Sequence, residues 1–368
     1  MVVIIGAFTA VVIVLFLHLK PQPQNQRRAG FFRTIWQLDP IGSVLSVTGI
    51  TCLLLALQWG GTTCPWHDVR IIVLLVMFAI LLLIAIGVQI WLGDEATVPP
   101  RIFCQRTIAL SFIFSIFLGG AFFLMIYMVP IWFQAVKDTD ALRSGIDSIA
   151  LICTSTFAIM LSRVLTSKFG PYMPCVYSSV AITSIGAGLI TTFTPETSTS
   201  KWVGYQLLFG FGVGLAFQIP QVAAQTVLPL ADIPQGSAMN FFAETFGGAI
   251  FVSVANNTLN NRLVKYIGAL KIPSVDPQTV VHLGATQFRG YVPPEYLAQT
   301  VEAYNRALVK TFQIGLIVAC LSALGAMEME WRSVHQSVSG TNPMVKDLEM
   351  DKRSAEPEIS DLAPGLTV

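Results

Sequence analysis

Long uncharged stretches of apolar residues, separated by short polar segments, dominate this chain. A helix that crosses a bilayer needs about 20 predominantly apolar residues. Because backbone groups in lipid must satisfy their own hydrogen bonds, and because the stretches lack the alternation of membrane strands, each is predicted to be a helix. The nine predicted spans are residues 2–19, 40–59, 71–92, 108–135, 146–168, 173–193, 203–228, 235–254 and 307–329.

The composition supports an all-α polytopic membrane protein. Apolar residues make up 54% of the chain and charged residues 12%, against about 45–50% and about 25% in soluble domains. The net charge of +1 gives no electrostatic basis for a nucleic-acid partner, so the lipid bilayer is the expected environment. The six cysteines and four histidines are scattered, so we predict no disulfide framework, metal site or cofactor.

The distribution of basic residues predicts the orientation, because cytosolic loops are enriched in Lys and Arg. If the segment after the first span is cytosolic, most basic residues that flank the spans lie inside, and the short outer loops hold only Arg70, Lys137, Arg143 and Lys201. Nine crossings with a cytosolic tail place residue 1 outside. We therefore expect the chain to begin within a larger topology.

Four polar segments separate or follow the spans. Residues 20–39 form a basic cytosolic linker, residues 93–106 a second cytosolic link, and residues 331–368 a disordered cytosolic tail. Residues 256–306 are predicted to be an external loop in which several prolines interrupt regular structure. Asn256 begins an Asn-Asn-Thr glycosylation sequon close to the membrane end of its helix.

Two ionisable residues lie inside predicted spans, where such groups are costly and therefore candidates for function. Glu244 is surrounded by Phe and Gly residues, and is either a proton carrier or a neutral carboxyl that only bonds a neighbouring helix. Arg163 either extends to the cytosolic surface and its phosphates, or pairs with an acid.

The seventh predicted span contains three amides on one helical face, Gln218, Gln221 and Gln225. Amides are costly against lipid, so this face is predicted to line a polar cavity, or else to hold helices together. Pro220 favours a kink between them. Gly210 and Gly214 form a pair of small residues that allows close helix approach.

These segments resemble the fourteen-span drug:proton antiporter branch of the major facilitator superfamily, in particular fungal exporters of toxins and secondary metabolites. The resemblance runs from about residue 5 to residue 334. The matching stretches are LDPIG at 38–42, LLLALQWGG at 53–61, VPPR at 98–101, PIWFQ at 130–134, FGGA at 246–249, AYN at 303–305 and AL at 307–308.

The resemblance implies a partial major facilitator fold. Residues 1–19 would be the last helix of the N-terminal bundle, residues 40–92 two extra linker spans, and residues 107–330 a complete C-terminal six-helix bundle. The first five helices of the family would be missing. Glu244 and Arg163 stand where similar members usually carry glutamine and a small residue, which puts in doubt any role carried over to them. Arg163, Lys168 and Gly170 lie at the expected cytosolic gate.

The resemblance also implies a function: export of a small, fairly apolar metabolite in exchange for protons, in the plasma membrane or in a vacuolar or vesicle membrane. Gln218, Pro220, Gln221 and Gln225 would line the cavity together with Glu244; the proton-carrier interpretation of Glu244 rests on its position in an apolar span and not on the resemblance. One alternative is a truncated remnant that does not transport. A more remote alternative is a membrane-embedded enzyme, although no catalytic constellation is recognised within the spans.

Overall fold

The computed structural model describes residue 6 and residues 39–327, apart from residues 62, 63, 94, 95, 97 and 274. The chain divides into two compact units, Met1–Pro40 and Ile41–Val368, and nearly all described residues belong to the second. The predicted span 2–19, residues 20–38 of the basic linker and the tail 331–368 lie outside the described residues.

The described residues form twelve α-helices. In chain order they are α1 (Pro40–Trp59), α2 (Val69–Leu92), α3 (Pro100–Phe103), α4 (Arg106–Val136), α5 (Ala141–Asp147), α6 (Ile149–Phe169), α7 (Met173–Ile190), α8 (Thr199–Ala216), α9 (Ile219–Val227), α10 (Ile233–Leu270), α11 (Pro277–Tyr291) and α12 (Pro294–Met327).

Eight helical segments in the described part of the chain are long and apolar enough to cross a membrane. Helices α5 and α6 together form one of them, and α8 and α9 together form another. All eight coincide with predicted spans. The all-helical polytopic fold predicted from the sequence is therefore confirmed for this part of the chain.

Six of these segments pack into one bundle. Helix α4 packs along α10 and α12, α8 packs along α6 and α7, and α12 contacts both α10 and α7. Close approach depends on glycine, as predicted for Gly210 and Gly214: a Cβ at either position would overlap a backbone carbonyl oxygen of α6, at Leu151 or Ser155.

Helices α1 and α2 form a hairpin with few buried residues; only Gly42, Gly49 and Ala56 of α1 are buried. The end of α1 is attached to the bundle through Asn257 of α10. The Nδ2 atom of Asn257 donates to the carbonyl oxygens of Gly60 and Leu57, the latter at 3.2 Å.

Residues 256–306, predicted to be an external loop without regular structure, are mostly helical. Helix α10 continues to Leu270, and its 38 residues span about 57 Å at about 1.5 Å per residue. That length exceeds the hydrocarbon core of about 30 Å. Asn256 accordingly lies within α10 rather than near its end.

Two prolines in this segment begin helices, whereas Pro273 and Pro293 lie between helices. Pro277 lies in the first turn of α11, whose N-cap Asp276 accepts a hydrogen bond from the backbone N–H of Thr279 at 3.0 Å, and Pro294 is the first residue of α12. Proline is tolerated there because the first turn of a helix leaves its N–H groups without helical acceptors. Phe288 then stacks on Tyr304, with ring centroids 5.2 Å apart, so α11 packs against α12.

Candidate functional site

The span that carries the three glutamines is broken between α8 and α9. Helix α8 ends at Ala216, α9 begins at Ile219, and Gln218 between them has φ −103° and ψ 1°. Pro220 lies in the first turn of α9, where it lacks the N–H that would continue α8. The kink predicted at Pro220 is therefore confirmed.

Helix α6 contacts the break through two consecutive side chains. The hydroxyl of Ser162 donates to the carbonyl oxygen of Leu215, at 2.5 Å. The guanidinium of Arg163 donates to Oε1 of Gln218, with Nε at 2.7 Å and one terminal nitrogen also in contact. Among the described residues, the partner of the exposed Arg163 side chain is therefore a neutral amide.

Helix α10 contacts α9 from another side. Nδ2 of Asn240 donates to the carbonyl oxygen of Pro220 at 2.8 Å, and Oδ1 of Asn240 accepts from the hydroxyl of Ser111 at 3.0 Å. One turn later along α10, the carboxyl of Glu244 lies close to the side chain of Gln221. Side chains of α6 therefore bond the residues at the break, and Asn240 of α10, itself bonded to Ser111 of α4, bonds the first turn of α9.

Glu244 lies at a close crossing of α4 and α10 and is 5% exposed. A Cβ added to Gly119 of α4 would lie 2.9 Å from both Cα and Cγ of Glu244. One turn along, a Cβ on Gly247 would overlap the carbonyl oxygen of Ile116. The carboxyl thus sits among backbone and apolar groups, with Gln221 as its polar contact.

The other residues that the sequence predicted to line the cavity or form the cytosolic gate are placed as follows. Gln225 is exposed on α9, whereas Pro220 is buried. Lys168 is exposed in the last turn of α6, and Gly170 ends that helix with φ 91°. They form the turn to α7, whereas Arg163 contacts the break.

Sequence reasoning missed Ser162, Asn240 and Ser111. A signal existed for Asn240, which precedes Glu244 by four residues and so shares its helical face. It also missed Asn305, whose Oδ1 accepts from Nε1 of Trp132 at 2.8 Å and whose Nδ2 donates to the carbonyl oxygen of Phe193 at 3.1 Å. Asn305 lies within the AYN stretch that carried the family resemblance.

A cavity of about 570 Å³ opens where α4 ends and α8 begins. Lys137 on its wall donates to the carbonyl oxygens of Pro195 at 2.6 Å and Thr197 at 2.8 Å. Burial lowers the pKa of this ammonium group below its ordinary value, and the nearby Glu196 opposes that change. Lys137 therefore holds the loop between α7 and α8 through these two hydrogen bonds.

An apolar cavity of about 290 Å³ lies between the hairpin and the bundle. Its wall includes Gly49 of α1, Phe78 of α2, Phe112 of α4 and Phe242 of α10. Among the described residues, no three His, Cys, Asp or Glu side chains are grouped closely enough to hold a metal ion. The polar cluster around α9 is therefore the chemically distinctive site of the described bundle.

The fold and this site define a multi-pass α-helical membrane protein with a polar cluster at a broken helix. The chain is 45% identical over 333 residues to efflux pump aflT of Aspergillus parasiticus, covering 90% of this chain and 65% of that protein. It is 46% identical over 330 residues to the MFS-type efflux pump MFS1 of Trichophyton rubrum, covering 90% and 61%. The MFS-type transporter phomT of Diaporthe leptostromiformis is 41% identical over 333 residues, covering 90% and 56%.

These similarities confirm the predicted resemblance: the chain is a homologue of MFS-type fungal efflux pumps over 90% of its length. It spans 61% to 65% of the length of the first two pumps. No protein-family model matches the chain. A solved bacterial homologue of the human lysosomal transporter Spinster gives a TM-score of 0.46 at 15% identity, covering 81% of this chain and 68% of that one.

Proposed function

We propose that the described bundle forms one wall of the pathway in a membrane efflux transporter. The transporter exports a small, fairly apolar metabolite in exchange for protons. One observation carries the proposal: the amides of Gln218 and Gln221 lie at a helix break in a largely apolar bundle, the first bonded to the exposed Arg163 and the second beside the buried Glu244. Broken helices and polar side chains at membrane depth are characteristic of transporter binding sites.

The relatives support the class of activity. Several are named efflux pumps, and one from Gibberella zeae is named for the export of rubrofusarin. Substrate contact would fall to the partly exposed amides, Gln218 and Gln221, and to the exposed Gln225. Lys168 and Gly170 would belong to the cytosolic gate, at the turn from α6 to α7.

Glu244 is proposed as the proton site. A carboxyl enclosed by a helix crossing can exchange its proton only when the surrounding helices separate, which couples protonation to movement. The alternative is that Glu244 only joins α9 to α10. Replacing it with Gln in the reconstituted protein distinguishes the two, because a coupled carboxyl is needed for efflux driven by an imposed pH gradient, whereas a structural one is replaceable by an amide.

The proposed activity is tested by expressing the chain in yeast that lacks its own efflux pumps and measuring export of a fluorescent apolar compound. The same measurement is made with the preceding helices of the aflT relative co-expressed. Export in either arm supports the proposal, and export by the chain alone excludes a transport-incompetent remnant. Correctly inserted protein that exports nothing in either arm overturns the proposal for this chain.

The proposed location is the plasma membrane, with a vacuolar or vesicle membrane as the alternative. Export from the cell requires a plasma-membrane pump, whereas sequestration requires an internal one. A fluorescent fusion of the full chain, imaged with a plasma-membrane marker and a vacuolar marker, separates these cases. The proposed partners are the metabolite, protons and lipid.

A further inference from the structure

The cavity of about 570 Å³ at the end of α4 has the size of a small-molecule site, since such sites enclose about 300–1,000 Å³. Its wall is formed by the ends of α4 and α5, the loop between α7 and α8, and the first turn of α8. Helix α8, with 18 residues, separates the cavity from the break at Gln218 by about 27 Å. The cavity is therefore distinct from the polar cluster around α9.

Lys137 supplies a cation to the wall of this cavity. Two of the three N–H groups of its ammonium donate to the neutral carbonyl oxygens of Pro195 and Thr197. The third N–H has no acceptor among the described residues, so it is available to a ligand. Burial lowers the pKa of the ammonium group because it disfavours the charged form, and an anion in the cavity would compensate that charge.

The neighbouring acids leave this charge largely uncompensated. Asp147 is the acid on the wall, and Oδ1 of Asp147 already pairs with Nε of Arg143 at 3.3 Å. Glu196 acts on Lys137 from an exposed position that is not part of the wall. The cavity thus has more hydrogen-bond donors than acceptors, which favours a ligand with a negatively charged acceptor.

An aromatic surface lies beside the ammonium group. The rings of Phe133 and Trp202 meet edge to face, with centroids 4.8 Å apart and planes at 77°, and both residues line the cavity. The indole N–H of Trp202 has no hydrogen-bond partner among the described residues. A flat ring packs well against such a surface.

We propose that this cavity binds an aromatic carboxylate, whose carboxylate accepts a hydrogen bond from Lys137 and whose ring packs against Trp202. Arg143 is exposed and already paired with Asp147, so it contributes little to the binding free energy. Such a ligand contacts α4 and α8 together and therefore opposes their separation at this end of the bundle. The site goes beyond the proposed efflux activity, because it is defined by binding at equilibrium and not by transport.

The test measures binding of 2-naphthoate by equilibrium dialysis. The full chain is placed in phosphatidylcholine nanodiscs, and the signal of empty nanodiscs is subtracted to remove partition into lipid. The wild type should show saturable binding of 2-naphthoate. The binding of 2-naphthamide, which has the ring without the charge, and of inorganic phosphate, which has the charge without the ring, should be at least tenfold weaker.

Two variants test the two parts of the site. Lys137→Met removes the ammonium group at similar side-chain length and should weaken 2-naphthoate binding by about tenfold, whereas Lys137→Arg keeps the charge and should weaken it less. Trp202→Leu removes the ring and its N–H and should weaken binding by about fivefold. Trp202→Leu decides the question if Lys137→Met does not fold.

The matched control is Lys201→Gln, which removes an exposed cation of α8 that is not part of the wall. It should leave the affinity for 2-naphthoate unchanged. Unchanged affinity in Trp202→Leu and in the folded Lys137 variants overturns the proposal. So does the absence of saturable binding to the wild type, or binding of 2-naphthamide or phosphate as tight as that of 2-naphthoate. Each result is obtained without transport, so it is independent of whether the chain exports a compound.

Discussion

The α1–α2 hairpin and the six-span bundle are equally suited to the membrane by composition, yet they differ in how they are held. Helix α2 is the most apolar of the eight candidate spans, but only 11% of its apolar window is buried within the protein, compared with 61% for α4. Lipid is as apolar as the interior, so burial in a membrane protein depends on close packing and polar contacts rather than on hydrophobicity. Among the described residues, the bundle has glycine contacts and amide bonds between its helices.

The largest difference should come from filling a helix crossing in the bundle. Gly247→Ala places a Cβ against the backbone carbonyl of Ile116, and overpacking against backbone should cost about 3 kcal/mol. Gly87→Ala in α2 has nothing within 4 Å and serves as the control. Thermal unfolding in detergent should show a large loss for the first variant and little change for the second. Equal melting temperatures would contradict the comparison.

A smaller effect is expected from removing a polar bond between helices. Asn305→Ala leaves Nε1 of Trp132 and the carbonyl oxygen of Phe193 without their partner, which should cost about 1–3 kcal/mol. Thr51→Ala in the hairpin is the matched change, because the Thr51 hydroxyl bonds only its own helix, at Val47. Equal melting temperatures for Asn305→Ala and Thr51→Ala would show that a polar contact between helices stabilises the protein no more than a hydrogen bond within one helix.

The attachment between the two regions can be cut separately. Asn257→Ala removes the bonds to Gly60 and Leu57, so amide exchange at the end of α1 should accelerate while the bundle keeps its melting temperature. Asn260→Ala, three residues along the same helix, is the control. Faster exchange throughout the bundle would show that the hairpin stabilises it.

The smallest expected effect is a dependence on pH at the start of α11, which belongs neither to the hairpin nor to the six spans of the bundle. Hydrogen bonds from Thr279 lower the pKa of Asp276 at the start of α11. Stabilisation by this carboxylate is therefore present above its unfolded pKa, about 3.9, and is lost as the pH falls through the lower folded pKa. The protection of the Thr279 amide from exchange, relative to its intrinsic rate at each pH, should fall below about pH 4 in the wild type. It should depend less on pH in Asp276→Asn, while α2 and α4 show no such change.

Sequence reasoning was accurate for properties that depend on a residue's own backbone geometry or on the free energy of moving its side chain from water into lipid. Residues 40–59 were predicted as a span and form α1, and the break at Pro220 follows from a missing N–H. The buried position of Glu244 also followed, since it lies deep in an apolar stretch. Residues 256–306 were predicted incorrectly because proline has opposite effects in the first turn and in the interior of a helix.

The sequence did not show which side chains contact each other between helices. It did not show that Arg163 bonds Gln218, which is 55 residues away. Asn240 and Ser111, 129 residues apart, were not recognised as a pair. Such contacts depend on which helix faces lie together, and hydrophobic patterning specifies the existence of a span without specifying its neighbours.

By itself, the sequence determined that this protein crosses the membrane repeatedly as helices, where the described spans lie, and which side chains are costly within them. Those properties follow from transfer of each residue into lipid and from local backbone geometry. Only the tertiary structure decided that the described part of the hairpin buries few residues, that α10 continues to Leu270, and that Arg163 and Glu244 lie beside the same helix break. These depend on close contacts between distant residues, which single-residue energies do not encode.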